Sequence, residues 1–105
     1  MLENHQIDIL KTLSNLVGVS GHEEQILQFV SEQLPFCTKE QDKLGSGLFS
    51  LGEGDLSIMF ATHMDEVGFV VSSINDRGYV SIQPVGNMWA HTLLQQLVTI
   101  ITSDG

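Results

Sequence analysis

The 105 residues have room for one small domain or for part of a larger fold, and 42% hydrophobic with 16% charged residues is a globular composition, not a disordered one. Thirteen acidic against four basic side chains give a formal charge of −9, which repels phosphate backbones and anionic lipid and argues against nucleic acid and membrane surfaces as partners. The single Cys37 rules out an internal disulfide framework, no leader of signal-peptide type opens the chain, and the longest apolar stretch, Ile58 to Ala61, is far shorter than the ~20 residues that cross a bilayer, so the simplest compartment is the cytoplasm.

Ile9, Leu10, Leu13, Leu16 and Val17 recur at helical spacing, which predicts an amphipathic helix over residues 4 to 17 ended by Gly18. Ser20-Gly21-His22-Glu23 has the pattern of a capping box and predicts a second helix from Gly21 to Leu34, stopped by Pro35. Glycines at 45, 47, 52 and 54 then punctuate short runs that read as strands near 36–42 and 46–51. Leu56 to Thr62 is nearly all apolar and reads as a central strand covered on both faces. Three more strands are expected over Val67 to Ile74, Tyr79 to Pro84 and Leu97 to Thr102, with Asn75-Asp76-Arg77-Gly78 as a hairpin turn between the first two. Asp104-Gly105 would open a further hairpin, so the chain reads as stopping in mid-motif. The texture changes near residue 67 from α/β to nearly all β, which is the expected domain boundary.

The chemistry concentrates in Ala61-Thr62-His63-Met64-Asp65-Glu66-Val67-Gly68-Phe69, where the apolar run ends, and ligands of open α/β sheets gather at the carboxyl ends of strands. In an extended chain His63 and Asp65 project to the same side, so one imidazole nitrogen can meet a metal while the carboxylate orients the ring. From spacing alone the competing reading, a hydrogen-bonded structural histidine, stays open. Cys37 has no matched base and reads as an inert, buried thiol. The glycines lack the Lys-Ser/Thr ending of a P-loop. Trp89 and Phe69 read as core or interface anchors.

The stretch from Ala61 to Phe69 resembles the signature A-x-H-x-D-E-x-G-F of the M42 metallopeptidases, the family of glutamyl and deblocking aminopeptidases sometimes labelled endoglucanases. Val19-Ser20-Gly21-His22-Glu23 resembles its S-G-x-E helix start and Asp42-Lys43-Leu44-Gly45-Ser46 its D-x-L-G-N. Pro84-Val85-Gly86 and Leu93 to Ile100 follow in the family's order, so the resemblance covers essentially the whole chain. It implies an α/β fold, with two N-terminal helices and mixed-sheet strands of a metallopeptidase domain over residues 1–66, then the first strands of an inserted β-rich domain over 67–105. It also implies two divalent ions, zinc or cobalt, peptide substrates and a homo-oligomer. By the same resemblance His63 is a metal ligand and Asp65 supports the catalytic site beside it without ligating the ion; Glu66 belongs to the signature with no role assigned and reads as a polar residue at a domain junction.

Two residues depart from the pattern: Asn87 stands for the second Gly of G-G, and Gln95 for the Gly of L-L-G-Q. The remaining ligands and the catalytic Glu of the family lie downstream of the inserted domain, while His5, His22 and His91 match no ligand position. The chain is therefore expected to have no substantial peptidase activity by itself. A non-catalytic module that assembles with itself or with a full-length relative is the alternative. A polysaccharide hydrolase is disfavoured, since nothing specifies a pair of carboxylates flanking a sugar cleft.

Overall fold

The structure, a computed structural model, describes residues 1–102. The first helix, α1, spans Asn4–Leu13 and is shorter than the expected 4–17. At its end Thr12 Oγ1 donates to Asp8 O at 2.9 Å, Ser14 Oγ to Leu10 O at 2.8 Å and Asn15 Nδ2 to Lys11 O at 2.6 Å. These short polar side chains compete for the carbonyls that further turns of helix would use. Leu16 and Val17 keep the right spacing for the apolar face but lie beyond the helix, half-buried.

The second helix, α2, spans Glu24–Gln33, three residues later than the capping box implied. Gly21 takes φ +87° and turns the chain, with His22 N donating to Val19 O at 2.8 Å. That turn separates Ser20 from the helix, so Glu23 becomes the residue before the first turn and its Oε1 accepts from Gly21 N at 2.9 Å. Leu34 leaves the helical region at φ −120°, as Pro35 requires of the residue before it. Ile26 and Leu27, at 7% and 6% exposure, are the only buried large apolar side chains among the described residues.

Strands β1 (Thr38–Gln41) and β2 (Gly47–Ser50) pair antiparallel, with Thr38 opposite Ser50 and Gln41 opposite Gly47. A Cβ on Gly47 would run into the Leu27 side chain, so this glycine lets α2 lie close to the hairpin. In the connecting loop Asp42 Oδ1 accepts from Leu44 N at 2.9 Å and Ser46 N at 2.8 Å, and Gly45 takes φ +96°. The Ser46 backbone hydrogen bond is the main reason that the Asp42 carboxyl is held below its ordinary pKa. Because the folded pKa is depressed, the loop's contribution is fully present above the ordinary aspartate value and is lost as pH falls through the lower folded value. Protection of the Leu44 and Ser46 amides, their exchange relative to an unfolded chain at the same pH, is expected to fall as pH drops through that lower folded value. In Asp42→Ala those amides should lack this protection at every pH.

Leu56 to Thr62 does not form the expected central strand. A strand is completed by its neighbours' hydrogen bonds, and among the described residues no segment pairs with this one, leaving Leu56 82% and Phe60 94% exposed. Two further strands follow the signature. β3 (Gly68–Ile74) and β4 (Val80–Val85) pair antiparallel from Gly68 opposite Val85 to Ile74 opposite Val80, with an irregularity between Val71 and Ser73. The turn is the expected one: Asn75 Oδ1 accepts from Arg77 N and Tyr79 N at 3.0 Å each, and Gly78 takes φ +81°. Pro84 sits in β4, which a two-stranded ribbon tolerates because both strands are edges.

Ala90–Leu93 forms a short 3-10 helix. Leu97 to Thr102, expected as a strand, makes no strand pairing and its apolar side chains are exposed. The anticipated hairpin opening at Asp104-Gly105 lies outside the described residues. Gln95 takes φ +62°, the left-handed region that a glycine would occupy at roughly 1–2 kcal/mol less cost. Asn87, the other departure, has no positive φ, so the loss of glycine brings no left-handed backbone strain there.

Two helices and two antiparallel ribbons thus make an α/β chain with a very small core. Its radius of gyration is 17.7 Å, against about 13 Å for a globule of this length. Its accessible surface of 9632 Å² exceeds the roughly 5,800 Å² of a compact folded protein of this mass. No helix of the described residues is long and apolar enough to cross a membrane.

Candidate functional site

His63 and Asp65 stand between the unpaired apolar segment and β3. Three observations fix this corner from behind. Glu66 N donates to Gly18 O at 2.7 Å, Gly18 N donates to Glu66 Oε1 at 3.3 Å, and Val19 and Glu66 form a parallel bridge. Gly68 then lies so close to Val19 that a Cβ would strike its side chain. The α1–α2 loop therefore touches both sides of the expected boundary at residue 67.

In front of this anchor, His63 Nδ1 lies 3.1 Å from Asp65 O and 3.4 Å from Asp65 Oδ1. A carbonyl oxygen can only accept, so this arrangement makes Nδ1 the donor, and in the neutral imidazole the lone pair then lies on Nε2. The backbone carbonyl, closer than the carboxylate, is the nearer orienting group. The His63 side chain is 84% exposed and that of Asp65 45%, so the free nitrogen faces solvent.

The described residues contain no group of three or more His, Cys, Asp or Glu side chains that could hold a metal ion. His5 in the first turn of α1, His22 ahead of α2 and His91 in the 3-10 helix are all exposed and join no such group. Cys37 is half-buried, not buried as expected; Phe69 is half-buried, while Trp89 is exposed and is no core anchor here. A groove of about 270 Å³ between α2 and β1, lined by Leu27, Gln28, Ser31 and Lys39 among others, shares no residue with the His63 corner. The grip of Glu66 on Gly18 was not foreseen. Gly68 in the signature was the available signal, since a glycine inside a strand often marks close approach of another backbone.

The family model for M42 glutamyl aminopeptidase matches residues 45–105, more than half of the chain. The chain belongs to the M42 family. A curated relative from Acetivibrio thermocellus is 37% identical to this M42 chain over 101 residues, covering 93% of it and 30% of the relative. The crystal structure of a TET aminopeptidase from a marine sediment archaeon, Thaumarchaeota archaeon SCGC AB-539-E09, superposes with a TM-score of 0.81 at 36% identity, over 89% of this chain and 27% of that one. A second solved structure, described as PhTET1-12s, dodecamer in the asymmetric unit, matches with a TM-score of 0.72 at 34% identity, over 78% of this chain and 26% of that one. The M42 chain thus spans about 30% of the length of the curated relatives it matches.

Proposed function

We propose that this M42 chain forms the N-terminal portion of a two-metal aminopeptidase that hydrolyses N-terminal residues from peptides. On this reading His63 ligates one divalent ion, zinc or cobalt, and Asp65 orients it. Residues 1–66 are the opening of the catalytic domain and 67–105 the start of the inserted β domain. The observation that carries the reading is the His63 geometry: Nδ1 is engaged by Asp65 at 3.1 Å and Nε2 is free, at the His of the M42 signature. A homo-oligomer working in the cytoplasm is part of the same proposal; it draws support from the family and from the dodecameric assembly of the solved neighbour.

The described residues do not fit a complete two-ion centre. One free imidazole nitrogen and one nearby carboxylate fall short of the three or four convergent donors that hold a zinc-like ion, and a hydrolase needs a general base besides. No catalytic step is therefore assigned to this chain. The purified chain is expected to release no amino acid from aminoacyl anilides above background, with zinc or with cobalt. Robust hydrolysis that a chelator abolishes and that His63→Ala leaves intact would overturn both the inactivity and the role of His63.

The second reading, an assembly module without catalysis, draws on the exposed apolar runs at Leu56 to Phe60 and Leu97 to Ile101. Sedimentation tests it: association that grows with concentration supports the module, and a strict monomer over a wide range counts against it.

A further inference from the structure

Residues 52–65 carry the candidate site but make no strand, and among the described residues their one hydrogen-bonded tie to the rest of the chain on the N-terminal side runs through the adjoining Glu66 to Gly18. Glu66 grips that glycine at two points, accepting from its N–H through Oε1 and donating to its carbonyl through the backbone. Gly18 is itself buried: a Cβ there would strike the end of the Ile26 side chain and stand 3.2 Å from Met64 O. Ile26 is one of the two buried apolar side chains of α2. A continuous path thus leads from the core, through Ile26 and Gly18, to Glu66 and then to the two preceding signature residues.

We propose that Glu66 is a positioning residue: by clamping Gly18 it holds the His63–Asp65 corner so that Nδ1 stays on Asp65 and Nε2 stays free. This rests on the reading of His63 as a ligand for its purpose, but not for its geometry. Glu66 does not touch substrate or metal in this account; it acts through the backbone that carries Asp65. The carboxylate is needed as an acceptor. A glutamine, which keeps an oxygen at the same reach, should serve nearly as well, whereas alanine keeps only the backbone half of the grip.

The test is nuclear magnetic resonance on the 105-residue chain, comparing wild type with Glu66→Gln and Glu66→Ala. Two signals are read: amide exchange at Gly18, and the ring-nitrogen shifts of His63, which report which nitrogen carries the hydrogen. In Glu66→Ala, Gly18 exchange should rise about fivefold, the factor that one ordinary hydrogen bond supplies. The His63 ring should also lose its preference for hydrogen on Nδ1. Glu66→Gln should resemble wild type in both, and exchange across β3 and β4 should be unchanged in all three, showing that the ribbon is intact. An unaltered His63 ring in Glu66→Ala would overturn the positioning role even if Gly18 exchange rises, and so would a glutamine variant that behaves like alanine. Added cobalt separates this from the functional reading: failure of the metal to broaden the His63 signals of wild type sinks the ligand assignment, while the metal-free ring shifts still decide the clamp.

Discussion

Leu27→Ala is expected to unfasten α2 from the β1–β2 hairpin, with a loss of about 2–4 kcal/mol. Leu27 is one of two buried apolar side chains, and its methyl groups reach the place where Gly47 leaves room. In a large core the neighbours of a truncated leucine can relax into part of the space. Here Ile26 is the only other buried large apolar side chain among the described residues, and a protein of ordinary stability has roughly 0.05–0.15 kcal/mol per residue in hand. A chain that leaves so much surface in water starts below that. Far-UV circular dichroism with urea should show the helical transition shifted to lower denaturant, or absent at the start. Leu56→Ala is the control: its side chain is already exposed, so the change should stay within about 0.5 kcal/mol. Equal effects from the two substitutions would mean that the core lies elsewhere.

Gly68→Ala is expected to prise Val19 away from the start of β3 and to cost about 1–3 kcal/mol, the usual range for an added group in a filled space. The backbone angle at Gly68 is one that alanine accepts, so the penalty is steric: the new methyl group meets the Val19 side chain. Because Val19 bridges Glu66, the first consequence should be faster exchange at the Glu66 amide, which donates to Gly18 O. Gly54→Ala gives the contrast. Nothing lies near its Cβ position and its φ is not positive, so that change should be neutral or stabilise by about 0.4–1 kcal/mol through the unfolded state. An unchanged Glu66 amide in Gly68→Ala would show that the close approach of Val19 does not hold the signature in place.

The local features were legible in the sequence where the deciding chemistry lies within a few residues. The period of Ile26, Leu27, Phe29 and Val30 marks α2, Pro35 ends it, and Asn75 with Gly78 specifies the turn between β3 and β4. Gln95, marked as standing where a glycine belongs, does take a glycine-like φ. Two expected strands, over 56–62 and 97–102, failed for one reason: an apolar run shows that a segment wants covering, but a strand exists only when a partner supplies the hydrogen bonds. The Ser20 capping box failed because Gly21 turns the chain before the helix can start. The Glu66–Gly18 contact joins residues 48 apart, and the one local hint of it is Gly68, which marks a close approach without naming the partner. At the candidate site, spacing puts His63 and Asp65 on one side of the chain, and Nδ1 and Oδ1 stand 3.4 Å apart. That the backbone carbonyl stands closer still could not be read from residue types.

We propose that the described residues of this M42 chain carry one ligand position of a two-ion centre and not the centre itself. A cobalt titration followed at the four histidines tests it most directly. Selective broadening of His63 is expected, weak and unsaturated at the protein's own concentration, and it should disappear in His63→Ala. Tight binding of two ions per 105-residue chain, or binding that survives His63→Ala, would contradict it.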